Sequence, residues 1–93
     1  MHAIVGHSEI DAARGEEATA ILVNGLLPGL QAAAGFVSAT FVRSADGATG
    51  HSMVVFESEE AARAVADTAG DRMPADAPIT IVSLEICEVA ASG

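Results

Sequence analysis

Few side chains in this sequence are able to do chemistry. His51 stands at the entry of the run Gly50-His51-Ser52-Met53-Val54-Val55-Phe56, on the same strand face as Met53 and Val55. A neutral imidazole there can serve as a general base or a ligand. It can equally be a half-solvated residue at a hairpin end. Glu85 alternates with Leu84 and Ile86 and shares a face with Cys87. If that face is covered, the carboxylate needs a donor, with Arg43 and His51 as the candidates, or its pKa rises. An interfacial ion pair or a rim position is the other role open to it. Cys87 would need a lowered pKa and a neighbouring base to act as a nucleophile, and lone strand cysteines are commonly small packing residues. His7 has the same two roles open as His51, and His2 is expected to be a mobile end. Asn24 falls in the middle of a helix, where an amide faces solvent or packs against a neighbour. There is no Gly-rich phosphate loop, no HxxxH and no Ser-His-Asp signature, and the three histidines lack the spacing of a local metal site. No cofactor and no metal are expected.

Composition narrows the partners. The net charge of −9 sets 13 acidic residues against four arginines, with no lysine. Nothing basic is massed to neutralise phosphates, so nucleic acid is excluded as a partner, and an anionic membrane surface would repel the chain. A single cysteine rules out an internal disulfide and fits a reducing cytoplasm. The first residues lack a basic n-region and a long apolar stretch, so no secretory signal is expected. At 93 residues the chain is expected to form one domain, 1–93.

The elements that must position these residues follow from periodicity and punctuation. His2–Ser8 is the first expected strand. Asp11 can cap a helix over about 11–34, whose apolar stripe runs through Ala18, Ile21, Leu22, Gly25, Leu26, Leu30 and Ala33. Pro28 removes a backbone donor, so a break is expected near Leu27–Gly29. Gly35 ends that helix. Phe36–Arg43 and Thr49–Glu57 form a hairpin around the Asp46-Gly47 turn. Ser58 caps a second helix, with Glu59 and Glu60 favourable against its dipole and Glu59 placed to pair with Arg63. That helix packs through residues from Ala61 to Met73. After Pro74–Pro78, a final strand covers Ile79–Ala90.

The order βαββαβ predicts a ferredoxin-like α+β fold: a four-stranded antiparallel sheet with both helices on one face. The other face would span very roughly 400 Å². In the third strand Ser52, Val54 and Phe56 take one side and His51, Met53 and Val55 the other. In the last strand Val82, Leu84 and Ile86 oppose Ile81, Ser83, Glu85, Cys87 and Val89. Both strands are apolar on both faces, whereas a half-exposed sheet should alternate apolar with polar. Pairing two such faces contributes up to about 10 kcal/mol per protomer before association costs. The expected partner is therefore a second copy of this chain, in a homodimer.

The stretch from Gly35-Phe36 through Phe56, Ser58, Glu60 and Ala61 resembles the dimeric α/β-barrel superfamily, which includes antibiotic-biosynthesis-monooxygenase-like proteins. In that family the strand–helix junction carries a Trp, then Ser, then Glu-Ala, then a His along the helix. Here Phe56 holds the Trp place and Val65 stands near the His place. The capping and packing residues are kept. The aromatic and imidazole that haem-binding or ring-oxidising members use are replaced. The resemblance implies a small-molecule binder or cofactor-independent monooxygenase-like protein, in which Asn24, His51 and Glu85 polarise a substrate inside the barrel. The alternative is a non-catalytic dimeric module whose sheet face is simply an interface.

Overall fold

A computed structural model describes residues 1–92. Four strands, β1 (His2–Ile10), β2 (Phe36–Arg43), β3 (Thr49–Phe56) and β4 (Ile79–Glu88), form one sheet in the order β2-β3-β1-β4, with every neighbouring pair antiparallel. The helical layer comprises α1 (Gly15–Ile21), α2 (Leu27–Gln31) and α3 (Glu59–Ala66). This is the expected ferredoxin-like α+β arrangement. Among the described residues no helix is long and apolar enough to cross a membrane.

The punctuation residues act as their chemistry predicts. Ser58 is extended and its hydroxyl accepts from the Ala61 N–H at 3.2 Å, opening α3. Arg63 pairs with Glu59 at 2.6 Å on the outer face of the same helix. Gly35, at φ 78°, turns the chain from α2 into β2, and a Cβ there would lie 2.9 Å from that of Ala61. Only glycine meets both demands. In the hairpin turn Asp46 accepts from the Ser44 hydroxyl at 2.6 Å and the Ala48 N–H at 3.0 Å. Together these bonds hold its carboxyl below the usual aspartate range, the Ser44 hydroxyl being the larger cause.

Expectations for both helices and for His2 need correction. The long first helix is not broken at Leu27–Gly29. It divides into a 3-10 turn (Ala12–Arg14) that Asp11 caps, then α1, a π-helical turn (Leu22–Leu26) and α2. Pro28 cannot donate to the carbonyl four residues back, and the Leu27 N–H bonds Leu22, five residues back, one turn before the proline. Pro28 then sits in the first turn of α2, where a missing donor costs nothing. The second helix ends at Ala66, and Ala69–Arg72 form a separate 3-10 turn. His2 is not a loose end: it opens β1 between Phe56 of β3 and Glu88 of β4.

A bulge in β4 changes which residues face the helices. Ser83 pairs with His7 and Ile81 with Ser8, so Val82 is the additional residue. Ile79, Ile81, Leu84 and Ile86 therefore share the helix side with Ile4, whereas Ile81 had been expected beside Ser83 and Glu85. Val82 is left 54% exposed. Between sheet and helices the core gathers Ile4, Leu30, Val54, Phe56, Ala62 and Val65, with the Phe36 ring edge-on to Phe56. Fully burying a ring of this size contributes about 1.5–3 kcal/mol, and Phe56 has no exposed surface.

Candidate functional site

The core does not fill the whole space between the layers. Between the π-helical turn and the end of the sheet that carries Ser8, Arg43, Gly50 and Ile81, a cavity of about 410 Å³ opens. Its helical wall is Leu22, Val23, Leu26, Leu27 and Leu30, and its floor is Ile4, Val54, Ile81 and Leu84, with Phe41 from β2. The π turn carries three of these wall residues, Leu22, Val23 and Leu26. The β4 bulge supplies another by turning Ile81 inward. The polar groups on the lining are few: Ser8, Thr19, Ser52 and Arg43 among them. Sites that enclose small organic molecules have this constitution, mostly apolar with a few placed polar groups.

Arg43 ends β2 at the mouth of this cleft. Its Nη2 donates to the Thr19 hydroxyl, which in turn donates to the Gly15 carbonyl at 3.1 Å. A Cβ on Gly15 would lie 2.6 Å from Arg43 Nη1, so glycine at the start of α1 makes room for the guanidinium. The neighbouring Arg14 is occupied differently. Its Nε and Nη2 grip Glu17 at 2.6 and 2.8 Å. That hydrogen-bonded pairing holds the Glu17 carboxyl below its ordinary range and raises the Arg14 guanidinium.

The residues expected to carry chemistry are kept apart. Asn24 lies on the π turn, exposed and outside the cleft lining. His51 borders the cleft, but its ring meets His7 edge-on across the β1–β3 pair, with centroids 5.0 Å apart. Cross-strand neighbours share a face, so both imidazoles stand on the side of the sheet away from the helices. Glu85 is on that open side too, in register with Val5, exposed and without a hydrogen-bonding partner among the described residues. It is separated from His51 by the whole of β1. Arg43, its expected donor, is on the far edge strand and the opposite face. Cys87 is half-buried on the open face beside Ala3. Among the described residues no three of His, Cys, Asp and Glu are grouped as a metal site.

Sequence reasoning missed Arg43 and Thr19 as a pair, having weighed Arg43 only as a partner for Glu85. The two are 24 positions apart, and no local pattern links them. The available signal was scarcity: four cations in a strongly acidic chain.

No protein-family model and no curated protein matches the sequence. Solved structures do. The heme-degrader MhuD of Mycobacterium tuberculosis, solved with two hemes bound in its active site, superposes with a TM-score of 0.78 at 21% identity, over 100% of this chain and 99% of that one. A monooxygenase from the gene ActVA-Orf6 of Streptomyces coelicolor, in complex with the ligand Nanaomycin D, gives 0.68 at 20% identity, over 98% and 88%. HapK from Hahella chejuensis gives 0.62 at 18%, over 100% and 96%. At these identities the likeness shows the fold, and the chain has the ferredoxin-like fold of all three.

Proposed function

We propose that the protein binds a small, mainly apolar organic molecule in the cleft between sheet and helices, and that it does so as a homodimer paired through the open sheet faces. The observation that carries the first part is the cavity of about 410 Å³ walled by leucines, isoleucines and Phe41. A fold whose similar structures hold hemes or Nanaomycin D accommodates ligands of this kind. This supports a small-molecule-binding, monooxygenase-like protein as the reading. A single unpaired cysteine fits a reducing cytoplasm as its setting.

Heme itself suits the lining poorly. The cleft residues include no cysteine, methionine or tyrosine, and the ring of the bordering histidine, His51, meets His7 edge-on instead. An iron there would find no side-chain axial ligand of the usual kinds. We therefore propose a ligand bound without a metal or cofactor.

The homodimer is supported by what the open face exposes. Val5, Met53 and Val42 are 39%, 49% and 54% exposed there, on the same face as His7, His51 and Glu85. For Asn24, His51 and Glu85 to polarise one substrate, it would have to reach three places that the chain keeps apart. We assign His51 and Glu85 to the sheet-to-sheet junction instead, and Asn24 to the exposed helix surface. A non-catalytic dimeric module is the second reading, favoured by the same exposed valines and methionine.

The two readings separate on one substitution. Anthracenemethanol is a neutral fluorescent probe, and the chain has no Trp or Tyr to obscure it. The wild type is expected to bind it. Leu26→Glu, which places a carboxylate on the apolar helical wall without adding a fluorophore, is expected to keep the fold and the dimer and to abolish binding. Equal binding by Leu26→Glu, or none by the wild type, would remove the cleft from the account and leave the module.

A further inference from the structure

The cleft has one feature that an apolar binding site does not need. Arg43 is placed at its mouth with no carboxylate within ion-pair distance among the described residues, in a chain with 13 acidic side chains. Arg14 and Arg63 are each engaged by a glutamate. Arg43 is held instead by a neutral hydroxyl, that of Thr19, which uses part of its five-donor fork. Glu16 and Glu17 flank the depression beyond Arg43, and Glu17 is already committed to Arg14. Gly15 gives the guanidinium its space. The result is an oriented cation with donors to spare, at the end of an apolar cavity.

We infer that Arg43 is the anion anchor of the cleft, and that the ligand is an apolar molecule bearing a carboxylate. The inference rests on the cleft being a binding site and adds the charge class of what it binds. A planar guanidinium with one edge fixed by Thr19 presents its remaining N–H groups to the two oxygens of a carboxylate in the fork geometry that favours this pair. The apolar body lies inward against Leu22, Leu26, Phe41 and Ile81. Selection against neutral analogues then comes from the unpaired cation, and selection against small hydrophilic acids comes from the apolar walls.

The test is a pair of probes of nearly the same shape, anthracenecarboxylate and anthracenemethanol, titrated by fluorescence into the wild type, Arg43→Met and Arg63→Met. Arg43 is exposed at the mouth, so the wild type is expected to bind the acid about threefold to fivefold more tightly than the alcohol, the worth of an ion pair at an exposed cation. Arg43→Met is expected to bring the acid down to the alcohol and leave the alcohol unchanged. Arg63→Met makes the same change in net charge on α3, and should keep the preference. Gly15→Ala displaces the guanidinium tip without changing any charge, and should weaken the preference, so the inference stays testable if Arg43→Met does not fold. Equal affinities in the wild type, or a preference undiminished in both Arg43→Met and Gly15→Ala, would overturn the anchor while leaving the cleft intact. Binding of neither probe by the wild type would overturn the cleft itself, and the anchor with it.

Discussion

At the scale of single residues, the chain uses short polar side chains to fix backbone turns and holds Arg43 without a carboxylate partner among the described residues. Asp46 shows the first use. Its carboxylate takes the Ser44 hydroxyl and the Ala48 amide, and its pKa is lowered for that reason. A carboxyl whose pKa falls on folding contributes stability above its unfolded value, about 3.9, and that contribution disappears as the pH drops through the folded value. Asp46→Asn is therefore expected to lower the thermal midpoint at neutral pH, and the gap from wild type should close in acid. Thermal unfolding followed by circular dichroism over an acid series checks this. A gap that widened in acid would contradict it. Arg43 is the second case. Its importance was not legible in the sequence, because its meaning depends on Thr19, Gly15 and an apolar cavity that come together only on folding.

At the scale of elements, the legible features are those set by local chemistry. The Ser58 cap, the Gly35 stop and the Asp46-Gly47 turn each depend on neighbours a few positions away, and each lies where the residues placed it. Two features were not legible. The β4 bulge at Val82 depends on how β1 lies against β4, and it reverses the alternation that had put Ile81 beside Glu85. The π turn before Pro28 is a response of the preceding turn to a missing donor, and the residues alone do not say whether the chain will kink, split or widen. Both irregularities border the cleft, where a regular helix and an unbulged strand would present other side chains. Of the three α-helices, α3 alone starts from a side-chain cap, that of Ser58. Ser58→Ala is expected to cost about 1 kcal/mol, and for a domain of this size that lowers the midpoint by roughly 4–8 °C. An unchanged midpoint would show that tertiary packing alone, through Ala62 and Val65, fixes the start of the helix.

At the scale of the whole molecule, the sheet divides two tasks between its faces. The helix side carries the core and the cleft. The open side carries Val5, Met53 and Val42 with the His7–His51 pair, and we assign it to a second copy. A charge placed in the middle of that face, as in Met53→Glu, would meet its own copy across the junction in a protein already at −9. The solution mass is expected to be that of a dimer for the wild type and of a monomer for Met53→Glu. A dimer unaffected by the substitution would move the interface elsewhere. The ferredoxin-like fold itself was legible from element order. The candidate site was not, because Asn24, His51 and Glu85 were chosen for their chemistry, and of the three only His51 borders the cavity.

The central claim is that a ligand enters the cleft and not the open face. Backbone amide chemical shifts of the isotopically labelled protein, followed by NMR during titration with anthracenecarboxylate, test it most directly. The account predicts that the perturbed amides gather at Thr19, Leu22, Leu26, Phe41, Arg43 and Ile81, with little change along the row of Val5, Met53 and Glu85. Perturbations gathered at Val5, His7, Met53 and Glu85, with Leu22 and Leu26 silent, would contradict it.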